Sequence, residues 1–386
     1  MNPLHTRIGI LGGGQLGRMM IEESLRLNLT FNILENDPNC PCANICDELI
    51  VGSLQDEEAI RKLADISDVI SYEIEHVNTE ALLKLEEEGK TIIPSPRVLQ
   101  IIQDKGLQKQ FYQEHQIPTS PFVLVNNKNE WADGLNKIQS EKFAAKTRKD
   151  GYDGKGVMLL NKSAILADLD SIPFEQACVL EEFIPCQKEL SVIVARDRNG
   201  NTLCYPSVEM EFDPIANLVT FLLCPAHIDK SIEAKAEEIA IHAVNALGGI
   251  GIFAVEIFLT NDNNILVNEI APRVHNSGHH SIEACYTSQF EQLVRILSNI
   301  PLGSTKSIEP AVMINLLGAD DFSGSYQLKG LEEISAMEGV YVHLYGKKES
   351  KPKRKMGHIT VLAGTAKEAR EKAQKVNALV RFKPTK

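Results

Sequence analysis

Two glutamates, Glu256 and Glu269, occupy positions from which they can face each other across a hairpin. The run GIFAVEIFLT alternates, with Phe253, Val255, Ile257 and Leu259 on one face and Glu256 on the other. The turn-forming NDNN and a second run, ILVNEIAPR, follow it. A loop of residues 261–264 pairs Thr260 with Ile265, and counting back sets Glu256 opposite Glu269. Cross-strand partners share a face, where two like charges are destabilising. Such a pair points to a divalent cation between the carboxylates; the plainer alternative is two solvated acids on an exposed sheet face. Hard oxygen ligands suit magnesium, or manganese in its place, with nucleotide phosphates completing the shell. Strict alternation points Asn268 away from Glu269, so a contact from it requires a bend or a main-chain role.

Other clusters suit an anionic ligand. The loop GYDGKGV (Gly151, Tyr152, Asp153, Gly154, Lys155, Gly156, Val157) has three glycines in six positions, so its N–H groups can fold over phosphate oxygens. Lys146, five residues upstream at a strand end, can add a point charge. No GKS or GKT follows, so this is not a Walker loop; the alternative is a flexible hairpin tip. In EEFIPCQKE a strand ends at Glu181 and bends toward Glu189. It either offers main-chain groups to an adenine and an acid to ribose hydroxyls, or carries two solvated acids. Arg273, His275 and Asn276 bring a guanidinium, an imidazole and an amide within four residues, and arginine suits a two-point contact with bicarbonate or a carboxylate. His279 and His280 invite a zinc reading, but adjacent histidines rarely share one metal and no thiol is near.

Gly12, Gly14 and Gly17 match GxGxxG between a strand and a helix, and Glu35 ends the next strand where a ribose-binding acid belongs. NAD, a phosphate of another ligand at the helix N-terminus and a tight structural turn all satisfy that pattern. KKESKPKRK, residues 347–355, holds six Lys or Arg in nine positions. It reads as a solvated loop or as a wall for a phosphorylated substrate. CPCANIC (Cys40, Cys42, Cys46) lacks a fourth ligand at a familiar spacing and reads as small buried residues.

The elements that must position these groups follow from length and rhythm. A chain of 386 residues suggests two or three domains. The net charge of −12 argues against general nucleic-acid or acidic-membrane binding, so an anionic ligand must be met by local basic groups. Eight cysteines without paired spacing, no signal peptide and no apolar run of spanning length fit a cytoplasmic protein. Residues 7–105 alternate short strands (RIGIL, FNILE, ELIVG, DVISYE, TIIPS) with helical stretches, which predicts a doubly wound parallel sheet. A helix around 105–116 leads into a second unit with strands FAAKTR, GVMLL, CVLEEFI and ELSVIVARD. A long helix precedes the acidic hairpin, and short strands with a final helix close the chain.

With these residues assembled, the chain resembles the ATP-grasp ligases, and among them the 5-(carboxyamino)imidazole ribonucleotide synthases of bacterial and fungal purine biosynthesis. GILGGGQLGRMM, KTRKDGYDGKGV, NEIAPRVHNSGHH with TSQFEQ, and KPKRKMGH match that family's pattern in order and over essentially the whole chain. The resemblance implies an α/β (α+β) ATP-grasp fold. Its parts would be an N-terminal Rossmann-like pre-ATP-grasp domain (1–104), an ATP-grasp domain (105–300, lid about 115–185) and a small β-rich C-terminal domain (301–386). It implies ATP-dependent joining of bicarbonate to the amine of 5-aminoimidazole ribonucleotide, through carboxyphosphate, by a cytoplasmic homodimer.

Residue by residue, the resemblance implies that Lys105 and Lys146 contact ATP phosphates and the 151–157 loop closes over them. Glu181, Glu182, Phe183 and Ile184 would hold the adenine and Glu189 the ribose. Glu256 and Glu269 would ligate magnesium, with Asn268 adjacent. Arg273, His275 and Asn276 would handle bicarbonate and carboxyphosphate, and Tyr152 and Asp153 would face the imidazole, Asp153 or His275 serving as base. Gln15, Leu16, Glu73, Lys347, Lys353 and Arg354 would surround the ribonucleotide. The chain departs from many members at His280 (an aromatic there), at Lys155 (an Arg), and around Glu211–Phe212, which lacks a histidine. Open alternatives are a formate-dependent glycinamide ribonucleotide transformylase, which shares the fold, an NAD-dependent dehydrogenase resting on GGGQLG and Glu35, and a non-catalytic nucleotide sensor.

Overall fold

The hydrophobic runs of the N-terminal part pair side by side, with helices between them. In the computed structural model, which describes residues 3–149, 156–212 and 219–385, β1 (Arg7–Leu11), β2 (Thr30–Glu35), β3 (Glu48–Val51) and β4 (Val69–Tyr72) form a sheet ordered β3-β2-β1-β4. Every pairing in it is parallel. Ile8 and Ile10 pack with Met19 and Met20, whereas Leu11 and Ile70 pack with Ile60 and Leu63, so helices cover both faces. The segment TIIPS, expected as a strand, supplies only a bridge from Ile92 to Ile70; Pro94 has no N–H with which to continue the ladder.

A second, antiparallel sheet holds β5 (Phe122–Val125), β6 (Lys142–Thr147), β7 (Val157–Asn161) and β8 (Cys178–Glu182) in the order β5-β8-β6-β7. It closes around its own core of Trp131, Leu135, Phe143 and Leu180.

The central sheet contains β9 (Cys186–Arg196), β10 (Thr202–Cys204), β11 (Val208–Phe212), β12 (Val219–Cys224), β13 (Gly251–Thr260), β14 (Ile265–Ala271) and β15 (Ala311–Leu317). Beyond β16 (Tyr326–Lys329), β17 (Val340–Leu344) and β18 (Lys355–Leu362) join it, giving the order β14-β13-β9-β11-β12-β15-β18-β17 with β10 beside β9. β19 (Arg381–Pro384) pairs with β16. The C-terminal strands thus continue the central ladder through β12 and β15 instead of forming a detached unit. They keep a core of their own, where Ile334, Ile359 and Phe382 meet Ala369, Ala373 and Val376 of the helix Ala366–Leu379.

The predicted apolar face of β13 is buried: Phe253, Val255, Ile257 and Leu259 pack on Tyr112 and on Ala236, Ala240 and Val244 of the helix Lys230–Leu247. Each such large side chain contributes roughly 1.5–3 kcal/mol on burial. That face anchors the hairpin and turns Glu256 to the opposite side. The N-terminal domain is tied in by Met19 and Met20, which share a cluster with Phe290, Leu293 and Leu297. No helix among the described residues is long and apolar enough to cross a membrane.

Candidate active site

Glu256 and Glu269 stand opposite each other, but the ladder reaches that pairing by another route than a four-residue loop. Leu259, not Thr260, pairs with Ile265, and Ile257 pairs with Val267. The loop is longer by one residue: Thr260 N–H donates to Asn264 O at 2.9 Å, and Asn263, at φ 59°, donates to Thr260 O at 3.0 Å. A bulge at Asn268 absorbs the shift. An extra residue of this kind re-aims its side chain, and Asn268 Oδ1 accepts from Lys146 Nζ at 3.0 Å.

Cations surround the acids. Lys105 Nζ, at the start of the helix Lys105–Glu114, lies 2.5 Å from Glu269 Oε2. Its charge holds Glu269 below the usual carboxylate range, whereas burial and the facing charges of Glu269 and Glu189 raise Glu256. One acid is charged and paired; its neighbour resists ionisation until another cation arrives. Glu189, opposite Phe258 on β9, shares the face of Glu256, and burial raises it as well.

Glu181 differs from expectation. Its carboxylate is 2% exposed, with Lys109 Nζ 3.0 Å from Oε2, Lys146 Nζ 3.0 Å from Oε1, and Ser120 Oγ donating at 2.6 Å. Burial alone would raise it, but Lys146, Lys109 and Ser120 override that and hold it at about 2. An adenine can therefore meet Glu181 only through its main chain. Glu182 accepts from Gln139 N–H at 2.7 Å through its own carboxylate, so its side chain is likewise committed elsewhere. Phe183 is exposed and Ile184 half-buried.

Gly151, Tyr152, Asp153, Gly154 and Lys155 lie outside the described residues. The far end of their loop is fixed by Thr147 N–H donating to Gly156 O at 2.9 Å and by the pairing of Val157 with Lys146. At the near end Arg148 makes a two-point contact with Asp104, both bonds 2.7 Å, and Asp104 also caps the helix that carries Lys105.

On the other flank, Arg273 Nε lies 2.8 Å from Glu75 Oε1 of the N-terminal domain. His275 Nε2 faces Glu256 Oε1 at 3.6 Å, and its Nδ1 meets Ser277 Oγ at 2.9 Å. Asn276 exchanges two amide hydrogen bonds, 2.8 and 3.0 Å, with Asn315 of β15. Gln289 clamps the main chain of His275, accepting from N–H at 2.9 Å and donating to O at 2.7 Å. Lys109, Glu75, Asn315 and Gln289 escape the sequence reading. The signals were slight: a lone amide in an apolar strand for Asn315, and a lysine one helical turn after Lys105 for Lys109.

The glycine turn is filled from within. Glu73 is 8% exposed and accepts from Gly14 N–H and, at 2.5 Å, from Gly17 N–H. A Cβ at Gly12, which has φ 101°, would come within 2.5 Å of Glu73 Cγ. Glu35 accepts from Gly13 N–H at 3.0 Å. The dinucleotide reading is overturned, because a pyrophosphate here would meet two carboxylates already holding the donors it needs. Cys42 packs below, its Sγ 3.6 Å from Gly14 O, and burial pushes the thiols of Cys40, Cys42 and Cys46 up. Leu16 lies in the hydrophobic core, so only its main chain is open to a ligand, while Gln15 begins the helix half-buried.

The basic loop lies against this turn. Lys348 Nζ donates to Asn39 Oδ1 at 2.5 Å, and Arg18 approaches Gly346. Lys347 Nζ donates to Lys355 O at 2.7 Å, Arg354 donates to Glu349 O at 2.8 Å, and Lys353 is exposed. His279 and His280 are buried, which lowers both, His280 to about 4. No group of three or more His, Cys, Asp or Glu among the described residues could hold a metal. A cation between Glu256 and Glu269 would thus draw its remaining ligands from a substrate.

An acid pair laced to lysines, beneath a small antiparallel sheet set on a larger one, defines an ATP-grasp protein. Residues 110–290 match the ATP-grasp domain, 5–103 the ribonucleotide synthetase preATP-grasp domain, and 311–372 the phosphoribosylaminoimidazole carboxylase C-terminal domain. The chain is 36% identical to the N5-carboxyaminoimidazole ribonucleotide synthase of Bacillus subtilis (strain 168), over 92% of this chain and 91% of that one. It is similar to the crystal structure of the synthetase of that name from Thermotoga maritima, with 42% identity, a TM-score of 0.89, and coverage of 98% and 100%. The Aspergillus clavatus synthase, solved in complex with ADP and 5-aminoimidazole ribonucleotide, is 34% identical with a TM-score of 0.87, covering 97% and 98%. The chain belongs to the N5-carboxyaminoimidazole ribonucleotide synthase family.

Proposed function

We propose that this protein joins bicarbonate to the amine of 5-aminoimidazole ribonucleotide, cleaving ATP to ADP and phosphate, in purine biosynthesis. The observation that carries the reading is the facing pair Glu256–Glu269, bonded to Lys105 and flanked by His275. The relatives' own names and the Aspergillus complex support the substrate. Action as a cytoplasmic homodimer on small molecules is part of the reading and rests on family likeness alone.

A bicarbonate oxygen attacks the γ-phosphorus, the bond to the β-phosphate oxygen breaks, and ADP leaves carboxyphosphate behind. The substrate amine then attacks the carboxyl carbon, phosphate departs, and the nitrogen loses a proton. Magnesium fits Glu256 and Glu269, whose oxygens are hard and whose like charges need a counter-ion, and when bound it neutralises charge on the phosphates. Lys105 and Lys146 add fixed positive charge on the same side. Arg273, beside Glu75 and donating from Nη1 to Val274 O at 3.1 Å, brings a guanidinium charge that suits a planar oxyanion. Asp153 and His275 are the candidate bases. His275 Nδ1 accepts from Ser277 N–H at 3.3 Å, so the neutral ring carries its proton on Nε2, and by tautomer Asp153 is the better suited of the two to take the amine proton. The 151–157 loop, closing as a lid, would keep water from the labile carboxyphosphate.

Phosphate release from ATP should rise on adding ribonucleotide and bicarbonate together, and formate should not replace bicarbonate. Stimulation by formate with glycinamide ribonucleotide would instead favour the transformylase reading. At saturating magnesium, Glu269→Ala should lower phosphate release by about 100-fold or more; unchanged release would remove the metal assignment.

A further inference from the structure

Lys109 is 2% exposed and follows Lys105 by one helical turn, so both point to the same side of their helix. Its ammonium pairs with Glu181 Oε2 at 3.0 Å and donates to Thr119 Oγ1 at 2.7 Å and Ser120 Oγ at 3.1 Å. Both hydroxyls pass the chain onward, Thr119 to Val267 O at 2.6 Å and Ser120 to Glu181 at 2.6 Å. Lys109 is therefore enclosed by groups of the protein itself. Lys146 is different: among the described residues it donates one hydrogen bond, to Asn268 Oδ1 at 3.0 Å, and pairs with Glu181 Oε1 at 3.0 Å by charge without hydrogen-bond geometry, which leaves donor capacity for a ligand.

We infer that Lys109 is a positioning residue for Lys146, balancing Glu181 from behind so that the carboxylate steadies the Lys146 ammonium without drawing it away from a nucleotide phosphate. The inference rests on the nucleotide reading above. Two cations around one anion leave a net positive charge at the root of the lid sheet, and Lys146 is its exit toward the acid pair. Remove Lys109, and the whole charge of Glu181 falls on Lys146, whose ammonium is pulled toward the buried carboxylate. The triad joins the helix Lys105–Glu114 to β6 and β8, so it sets the same ammonium whenever the lid sheet meets the core.

The test is calorimetric titration with the magnesium complex of a non-hydrolysable ATP analogue, alongside KM values for ATP and bicarbonate. Lys109→Met keeps the length of the side chain and removes its charge. It should weaken the analogue about tenfold, the worth of one charge-assisted contact. KM for ATP should rise in step, and KM for bicarbonate should not change. Lys109→Arg should restore part of the loss. Lys109→Met with Glu181→Gln removes both charges and should bring binding back to within about twofold of wild type. A folded Lys109→Met with unaltered affinity overturns the inference, as does a double variant as weak as the single one. If Lys109→Met does not fold, the double variant decides by the same twofold and tenfold marks. Wild type that binds the analogue but releases no phosphate with ribonucleotide removes the proposed reaction and leaves this inference standing. Wild type that fails to bind removes both.

Discussion

Arg273 takes its place at the site through an acid of a different domain. Glu75 lies in the YEIEH segment after β4, where neighbouring Glu73 turns into the glycine turn and Glu75 turns out to the guanidinium at 2.8 Å. A planar group set between an acid and the Val274 carbonyl keeps one orientation, and a small misplacement of such a group is costly to rate. Glu75→Gln should therefore lower kcat about tenfold while leaving KM for ATP near wild type, since Lys105 and Lys146, proposed to meet phosphate, pair with Glu269 and Glu181 and not with Glu75. A rise in KM for ATP with kcat preserved would contradict this placement. Partners of this kind were invisible in the chain. Nothing local in YEIEH or VMINLLG says that Glu75 will meet Arg273, or Asn315 will meet Asn276, because the contacts span domains. The same holds for Glu181: a strand-end acid reads as solvated until two lysines from other elements are found beside it.

The hairpin shows what alternation can and cannot specify. Period-2 patterning put Phe253, Val255, Ile257 and Leu259 in the core and Glu256 outside it, and that much is a local property of the strand. The loop length and the bulge were each displaced by one residue, in opposite senses, so Glu269 still arrived opposite Glu256. Neither shift leaves a mark on hydrophobic alternation, because Asn263 and Asn268 are polar in any register. Removing the bulge would not separate the acids: without Asn268, Glu269 follows Val267 and still falls opposite Glu256. The extra residue instead adds an amide to the acid face, where Lys146 uses it. Deletion of Asn268 should thus leave the thermal midpoint within a few degrees and raise KM for ATP several-fold, as Lys146 loses one of its two anchors. A large fall in the midpoint would show the bulge to be structural.

At the scale of the molecule, three regions close on one another through shared cores and ion pairs, one of which turns on a histidine. His343 on β17 donates from Nε2 to Glu283 Oε1 at 2.6 Å and stacks on His358 at 4.3 Å, while His358 Nδ1 meets Tyr345 OH at 2.9 Å. Burial would lower His343, but Glu283, with Glu22 and Glu23 of the first helix, overrides it and raises the imidazole above its ordinary 6.5. Folding then favours the protonated ring. Its stabilising contribution is complete below pH 6.5 and fades as pH climbs through the raised folded value. Urea midpoints of wild type and His343→Gln should differ most on the acid side and converge at alkaline pH; divergence with rising pH would refute the assignment. The parallel N-terminal sheet and three strands of the small antiparallel sheet, β6, β7 and β8, were readable from strand and helix rhythm. Continuity of the C-terminal strands with the central sheet was not, since it depends on β12 and β15 meeting edge to edge across a long intervening stretch of chain.

The carboxylate lodged in the glycine turn has a consequence for turnover. Helix N-termini with open N–H groups collect whatever anion is abundant, and each cycle of the proposed reaction would release inorganic phosphate. Here Glu73 and Glu35 already take the donors of Gly13, Gly14 and Gly17. On the proposed reading, product phosphate finds no foothold at the turn, and an ester phosphate would have to meet the charges of the basic loop instead.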